Sequence, residues 1–222
     1  MRGLATKDFE FIKGNAKIMV MVVVIAFICF VSTSSGPAFL IGYVSIFSAT
    51  MAWNTIGNDD MNNSMAYIFT LPFSRKDYVK EKYLFGTGMV FLMWGLAVLI
   101  ACGVSALGYR TASFEELAGA SAAGIFLAVF VIAVMFPIQM KYGSNAGRIA
   151  LLTLVFGAMA VGWVGAEICD RMHIDLSFVK DAFMKIWDLG IPTLAILAAV
   201  LLLLILLISC TISIKIMEKK EY

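Results

Sequence analysis

The chain of 222 residues is 61% hydrophobic and only 14% charged, and its mean hydropathy is +0.92. A soluble domain has roughly half apolar and about a quarter charged residues. The composition therefore excludes an ordinary soluble protein and indicates an integral membrane protein. The net charge of +2 is uninformative, whereas the distribution of charge along the chain is not.

Six apolar runs follow one another, each long enough to cross a hydrocarbon core of about 30 Å as a helix. The first two meet at Gly36-Pro37, a turn signal that divides an overlong stretch into a hairpin. No run alternates apolar and polar residues as a transmembrane β-strand does. We therefore predict an all-α membrane protein with six transmembrane helices at 18–35, 37–56, 84–107, 117–140, 149–166 and 191–214.

Basic residues mark one side of the predicted membrane protein. The two tails and the loops between spans 2 and 3 and between spans 4 and 5 hold most of them, whereas the alternate loops hold only Arg110, Arg171, Lys180 and Lys185. Lysine and arginine concentrate in cytoplasmic loops. This asymmetry predicts that both termini are cytoplasmic, which requires an even number of spans.

The loop between spans 2 and 3 is unusually polar for so apolar a chain. Asn58, Asp59 or Asp60 could cap a helix whose apolar positions fall on one face. Pro72 ends that helix, because it lacks an N–H and disfavours helical geometry in the residue before it. Ser74 and the aspartate three residues later then form a capping-box pattern. The face consists of Met61, Met65, Ile68 and Phe69.

This segment has two interpretations. It is either an ordinary juxtamembrane loop that obeys the positive-inside rule, or a docking element whose apolar face packs against a soluble partner.

Two further amphipathic segments are predicted. In the N-terminal residues 1–17, apolar side chains share a helical face and lysines are available to lipid phosphates, which suits the membrane interface; a poorly ordered tail is the alternative. On the outer side, residues 175–188 fit an amphipathic helix between spans 5 and 6. Glu167 and Asp170 close span 5, where they either reach the interface or contact a substrate.

Catalytic patterns are missing from the sequence. His173 is the only histidine, so a two-histidine metal motif is ruled out. The chain has no G-x-x-x-x-G-K-[ST] loop for nucleotide phosphates. We predict no catalytic residue, no metal site and no bound cofactor in this chain, and no nucleic-acid partner.

Two stretches carry a family resemblance. The sequence TLPFSRKDYVKEKY at 70–83 resembles the signature LP-x-[ST]-R-x-x-[IY]-V-x-x-K-Y of small permease subunits of type-2 ABC exporters. The sequence FPIQMKYGSNAGR at 136–148 is similar to the family's second signature, a proline near the end of span 4 followed by a basic, glycine-containing loop. The chain most resembles the permeases of Gram-positive exporters of phenol-soluble modulins, which are amphipathic peptide toxins.

The resemblance implies one permease domain over 1–222. It comprises an amphipathic segment (1–17), spans 1–2 (18–56), a cytoplasmic coupling region (57–83), spans 3–4 (84–140), a second cytoplasmic loop (141–148), spans 5–6 with the extracellular helix (149–214) and a cytoplasmic tail (215–222). The implied ATPase-coupling residues are Met61, Met65, Ile68, Phe69, Leu71, Pro72, Ser74 and Arg75. The second-loop residues are Pro137, Lys141, Gly143 and Arg148, and the extracellular gate candidates are Glu167, Asp170, Phe183 and Trp187.

The resemblance also implies partners and a location. The coupling helix would sit in a cleft of a separate ABC ATPase subunit, present in two copies, which binds ATP and Mg²⁺. A second permease copy or a sibling permease would complete the pathway in a bacterial plasma membrane, in contact with membrane lipids. The expected function is export of amphipathic peptides by alternating access. The alternatives are a membrane scaffold or peptide-immunity protein without transport, and an exporter of drugs or lipids.

The charge asymmetry gives a testable topology. In a background without native cysteines, a cysteine at Asn62 should be shielded from an impermeant thiol reagent in intact cells. A cysteine at Lys180 should react under the same conditions. The reverse labelling pattern would contradict the orientation.

Overall fold

A computed structural model describes residues 2–32, 36–61, 64–68, 70, 74–108, 113–172 and 191–220. This part of the chain is helical and contains no strand, which confirms the all-α prediction. Its helices are α1 (Arg2–Gly14), α2 (Ala16–Ser32), α3 (Gly36–Asp60), α4 (Ser64–Ile68), α5 (Arg75–Ala106), α6 (Phe114–Tyr142), α7 (Ser144–Met172) and α8 (Ile191–Lys219).

Each of the six predicted spans coincides with a long helix: α2, α3, α5, α6, α7 or α8. Within the described residues, α3, α5, α6 and residues 197–219 of α8 are long and apolar enough to cross a membrane. Helices α1 and α2 are bent by 57° relative to each other and give a fifth candidate if the pair forms one span. Six membrane crossings and cytoplasmic termini remain predictions.

Helix α5 is longer than the membrane requires. Its 32 residues extend about 48 Å at 1.5 Å per residue, compared with a hydrocarbon core of about 30 Å. The polar first turns, residues 75–83, precede the apolar run that begins at Leu84. We therefore place these turns outside the membrane-spanning segment.

The start of α5 matches the predicted capping box. The backbone N–H of Asp77 donates to Ser74 Oγ, and the Asp77 carboxylate accepts from the backbone N–H of Ser74. The Ser74 hydroxyl also donates to the Asp77 carboxylate at 2.8 Å, and this hydrogen bond together with the one from the Ser74 backbone holds the pKa of Asp77 below its usual value. A second capping box, formed by Ser113 and Glu116, starts α6 and was not predicted. Both satisfy backbone donors that the first helical turn leaves free.

Helix α3 is the central element and packs against α2, α5 and α6. Two glycines mark close approaches between helices. A Cβ on Gly124 of α6 would lie 2.9 Å from the Ile41 side chain of α3, and one on Gly86 of α5 would lie 2.9 Å from the Phe136 ring of α6. Close approach of this kind is typical of membrane helix bundles.

The predicted extracellular helix, with Phe183, Trp187 and His173, lies outside the described residues. The same is true of Phe69, Leu71 and Pro72, and hence of the predicted helix end at Pro72.

Candidate functional site

The predicted cytoplasmic segments meet at one end of the bundle, which we call the α4 end. It contains α1, α4, the ends of α3, α6 and α8, and the starts of α5 and α7. Asp60 at the end of α3 accepts a hydrogen bond from the backbone N–H of Ser144 at the start of α7, at 2.9 Å. The structure therefore brings the coupling region and the second predicted cytoplasmic loop together.

The two faces of α4 differ sharply in exposure. Met65 and Ile68 are 3% and 6% exposed and pack in the core with Leu4, Ile56 and Tyr78. Tyr67 on the opposite face is 70% exposed, and Met61 and Thr70 are exposed too.

The expected orientation of α4 needs correction. Its spacing correctly predicts that Met65 and Ile68 share an apolar face, but that face packs on the chain's own helices. In this arrangement the two side chains do not project towards a soluble partner. Tyr67 marks the outward surface of the helix, which we call the α4 outer face, and Met61 and Thr70 are exposed in the segments that flank α4.

Arg75 binds within the chain, at the end of α8. Its guanidinium donates to the carbonyl oxygens of Met217 at 3.1 Å and Glu218 at 3.2 Å, and also to that of Lys220. The last carbonyls of a helix lack partners inside the helix. Arg75 therefore caps α8, a role that the sequence interpretation, which placed Arg75 among the ATPase-coupling residues, did not foresee. Lys76 adds an ion pair with Glu218 at 3.1 Å.

A buried ion network lies beside α4. Lys82 of α5 is 1% exposed and forms ion pairs with Asp8 of α1 and, at 2.8 Å, with Asp59 of α3. Lys7 also pairs with Asp59. We call these four residues the ion network. Tyr78 supports it by donating a hydrogen bond from its hydroxyl to Asp59 at 3.0 Å.

The network joins three helices that are far apart in sequence. Buried charges are tolerated when they are paired and hydrogen-bonded, and removing one partner is far more costly than the pair itself is stabilising. Burial raises the pKa of Asp8, and the charge of Lys82 opposes that rise. The buried ammonium of Lys82 thus fixes α1 and α3 against α5.

Sequence reasoning missed this network. It used Lys7 and Lys82 as markers of the cytoplasmic side and treated Asp59 and Asp60 as possible caps of the following helix. In the structure both aspartates are the last residues of α3, so the expectation that they cap α4 was wrong. A pair of carboxylates directly after an apolar span, facing lysine-rich neighbours, was the available signal.

Pro137 of α6 adjoins a second buried polar chain. Proline has no N–H for the carbonyl four residues earlier, which is that of Ala133. The Ser209 hydroxyl of α8 donates to that carbonyl. Ser209 and Ser213 also bond the Tyr83 hydroxyl of α5, at 2.6 and 2.9 Å. The carbonyl freed by the proline is therefore satisfied by a neighbouring helix, which is how membrane helices tolerate proline.

The other predicted site residues have varied positions. Lys141 is exposed near the end of α6. Gly143 ends α6 with a φ of +84°, and a Cβ there would lie 2.8 Å from the Asp60 carboxylate, so this loop position requires glycine. Glu167 is exposed on α7, while the side chains of Arg148 and Asp170 are not described. The gate candidates thus remain an expectation.

We predict that the ion network stabilises the folded protein. Lys82→Met leaves Asp8 and Asp59 buried without their shared cation and should lower the free energy of unfolding by about 3–5 kcal/mol. Lys80→Met, an exposed position on the same helix, should leave it nearly unchanged. Equilibrium unfolding in mixed micelles measures the free energy of unfolding of both variants. Equal values for the two variants would show that the ion network does not stabilise the fold.

Comparison with known proteins agrees with this architecture. The family model for the ABC-2 family transporter protein matches residues 3–218, nearly the whole chain. No curated protein and no solved structure matches. Members of this family are non-catalytic membrane components whose ATPase is a separate subunit. A match of this length, over a helical membrane bundle, shows that the chain belongs to the ABC-2 transporter family.

Proposed function

We propose that this chain is the membrane permease of an ATP-driven exporter and that α4 is its coupling helix. The observation that carries the proposal is the two-sided character of α4. Its inner face is anchored in the core by Met65 and Ile68, while Tyr67 stands 70% exposed on the outer face. A docking element needs both an exposed anchor and a firm attachment to the parts that move. Family membership supplies the partner, because such permeases work with an ABC ATPase.

The contacts around α4 suggest how movement would pass into the bundle. Met65 and Ile68 share one core cluster with residues of α1, α3, α5, α6 and α8. Asp59 and Asp60, just before α4, bind α5 and α7 respectively. Displacement of α4 by a closing ATPase would therefore act on several helices together instead of bending one loop.

The complete machine that we propose contains two ATPase subunits and two permeases, either two copies of this chain or one copy and a sibling. ATP and Mg²⁺ bind in the ATPase subunits. Their closure moves the coupling helices, and the pathway changes the side of the plasma membrane to which it opens. Both termini lie in the cytoplasm in this arrangement, as the basic residues predict.

The cargo that we propose is an amphipathic or hydrophobic peptide, such as a phenol-soluble modulin-like toxin or an antimicrobial peptide. The support is the sequence resemblance together with the 14 methionines and 17 phenylalanines, because flexible apolar side chains repack around varied apolar ligands. Export of drugs or lipids, and a scaffold or immunity role without transport, are the competing outcomes.

The first prediction concerns binding of the ATPase to the α4 outer face. Tyr67→Ala should weaken association with the ATPase by roughly thirtyfold, since truncation of a central aromatic anchor often costs about 2 kcal/mol. Phe114→Ala removes another exposed aromatic ring, at the start of α6, and should change nothing. Both variants should retain normal insertion and abundance.

Titration of purified permease with its ATPase in nanodiscs measures this affinity. A Tyr67→Ala permease that binds and transports like the unmodified protein would show that α4 is not the coupling element. Loss of abundance in that variant alone would mean that Tyr67 supports folding instead.

Cargo is tested separately. Amphipathic helical peptides should stimulate ATP hydrolysis by the reconstituted complex, whereas small hydrophilic solutes should not. Stimulation by a drug or a lipid, with no response to a panel of amphipathic peptides, would overturn the peptide assignment and leave the permease assignment standing.

A further inference from the structure

A further carboxyl group is buried next to the ion network. Glu81 precedes Lys82 on α5 and is 5% exposed. Both of its carboxylate oxygens are buried, and neither has a hydrogen-bond partner among the described residues. A carboxyl group in such surroundings avoids the desolvation cost of its ionised form by keeping its proton.

The charge balance around Glu81 points the same way. The charged groups that act on it are Lys7 and Asp8 of α1, Asp59 of α3 and Lys82 of its own helix. Two lysines balance two aspartates, so an ionised Glu81 would leave one negative charge uncompensated in a buried cluster. Burial, with a smaller contribution from the Asp8 charge, raises the pKa of Glu81 to about 7. Glu81 belongs to the first turns of α5, which lie outside the membrane-spanning segment.

We propose that Glu81 is a proton-binding site that controls how firmly α1 docks on α3 and α5. With the proton bound, the cluster is neutral and α1 is held by Asp8 and Lys7. Loss of the proton adds the negative charge of Glu81 to that of Asp8 and weakens the attachment of α1. This inference does not rest on the proposed transport function, because it concerns contacts within this chain alone.

The direction of the pH dependence follows from the two states of Glu81. The pKa of Glu81 is about 7 with α1 docked, and release of α1 would expose the carboxyl group and return its pKa towards the ordinary value of 4.5. The contribution of Glu81 to docking is therefore largest below pH 4.5, falls as the pH rises between these values, and is smallest above pH 7. The raised pKa of Asp8 acts in the same direction. Glu81 alone should weaken docking by about tenfold between pH 6 and pH 8.

Hydrogen exchange of the full chain in lipid nanodiscs measures docking. After correction for the intrinsic pH dependence of exchange, protection of the α1 amides should fall about tenfold from pH 6 to pH 8, while the middle of α6 stays protected. Glu81→Gln has the size of the protonated side chain and should keep α1 protected and lose most of this dependence. Glu10→Gln, an exposed carboxylate on α1, should behave like the unmodified chain.

Infrared titration of the unmodified chain gives a readout that needs no variant to fold. A protonated carboxyl band should disappear near pH 7, and Glu81→Gln should lack it. The proposal is overturned if no such band titrates, if α1 protection is constant from pH 6 to pH 8, or if Glu81→Gln retains the full pH dependence. If Glu81→Gln does not fold, the band and the exchange of the unmodified chain decide the matter.

Discussion

The buried ammonium group of Lys82 is the constraint on which the α4 end depends. At 1% exposure it cannot be solvated by water, so carboxylates must reach it from neighbouring helices. Asp8 and Asp59 do so, and they bring α1 and the end of α3 onto the start of α5. The position of α4 follows, because α4 comes shortly after Asp59 and its inner face packs against the same helices.

The permease signature itself takes on a structural meaning in this arrangement. Its serine, Ser74, starts α5, its arginine, Arg75, caps α8, and its lysine, Lys82, carries the ion network. The final tyrosine, Tyr83, bonds the serines of α8. The segment that motivates the coupling assignment therefore acts through contacts inside the chain. These contacts hold the start of α5 against α1, α3 and α8, the same helices on which the inner face of α4 packs.

Helix positions could be predicted from the sequence because their signals are local. Apolar runs located the long helices, and Ser74 with Asp77 located the start of α5. The ion network joins Asp8, Asp59 and Lys82 across long sequence separations, so no periodicity reveals it. The orientation of α4 was misjudged for a related reason: spacing shows that Met65 and Ile68 share a face, but what covers that face is a property of the tertiary fold.

Site-specific photo-cross-linking distinguishes which face of α4 docks on the ATPase. A photoreactive phenylalanine analogue replaces either Tyr67 or Met65 in the full chain, which is purified from native membranes with its ATPase. We expect cross-links to the ATPase from position 67 and cross-links only within the permease from position 65. Cross-linking of the ATPase from position 65 but not from position 67 would show instead that the inner face of α4 is the one that docks.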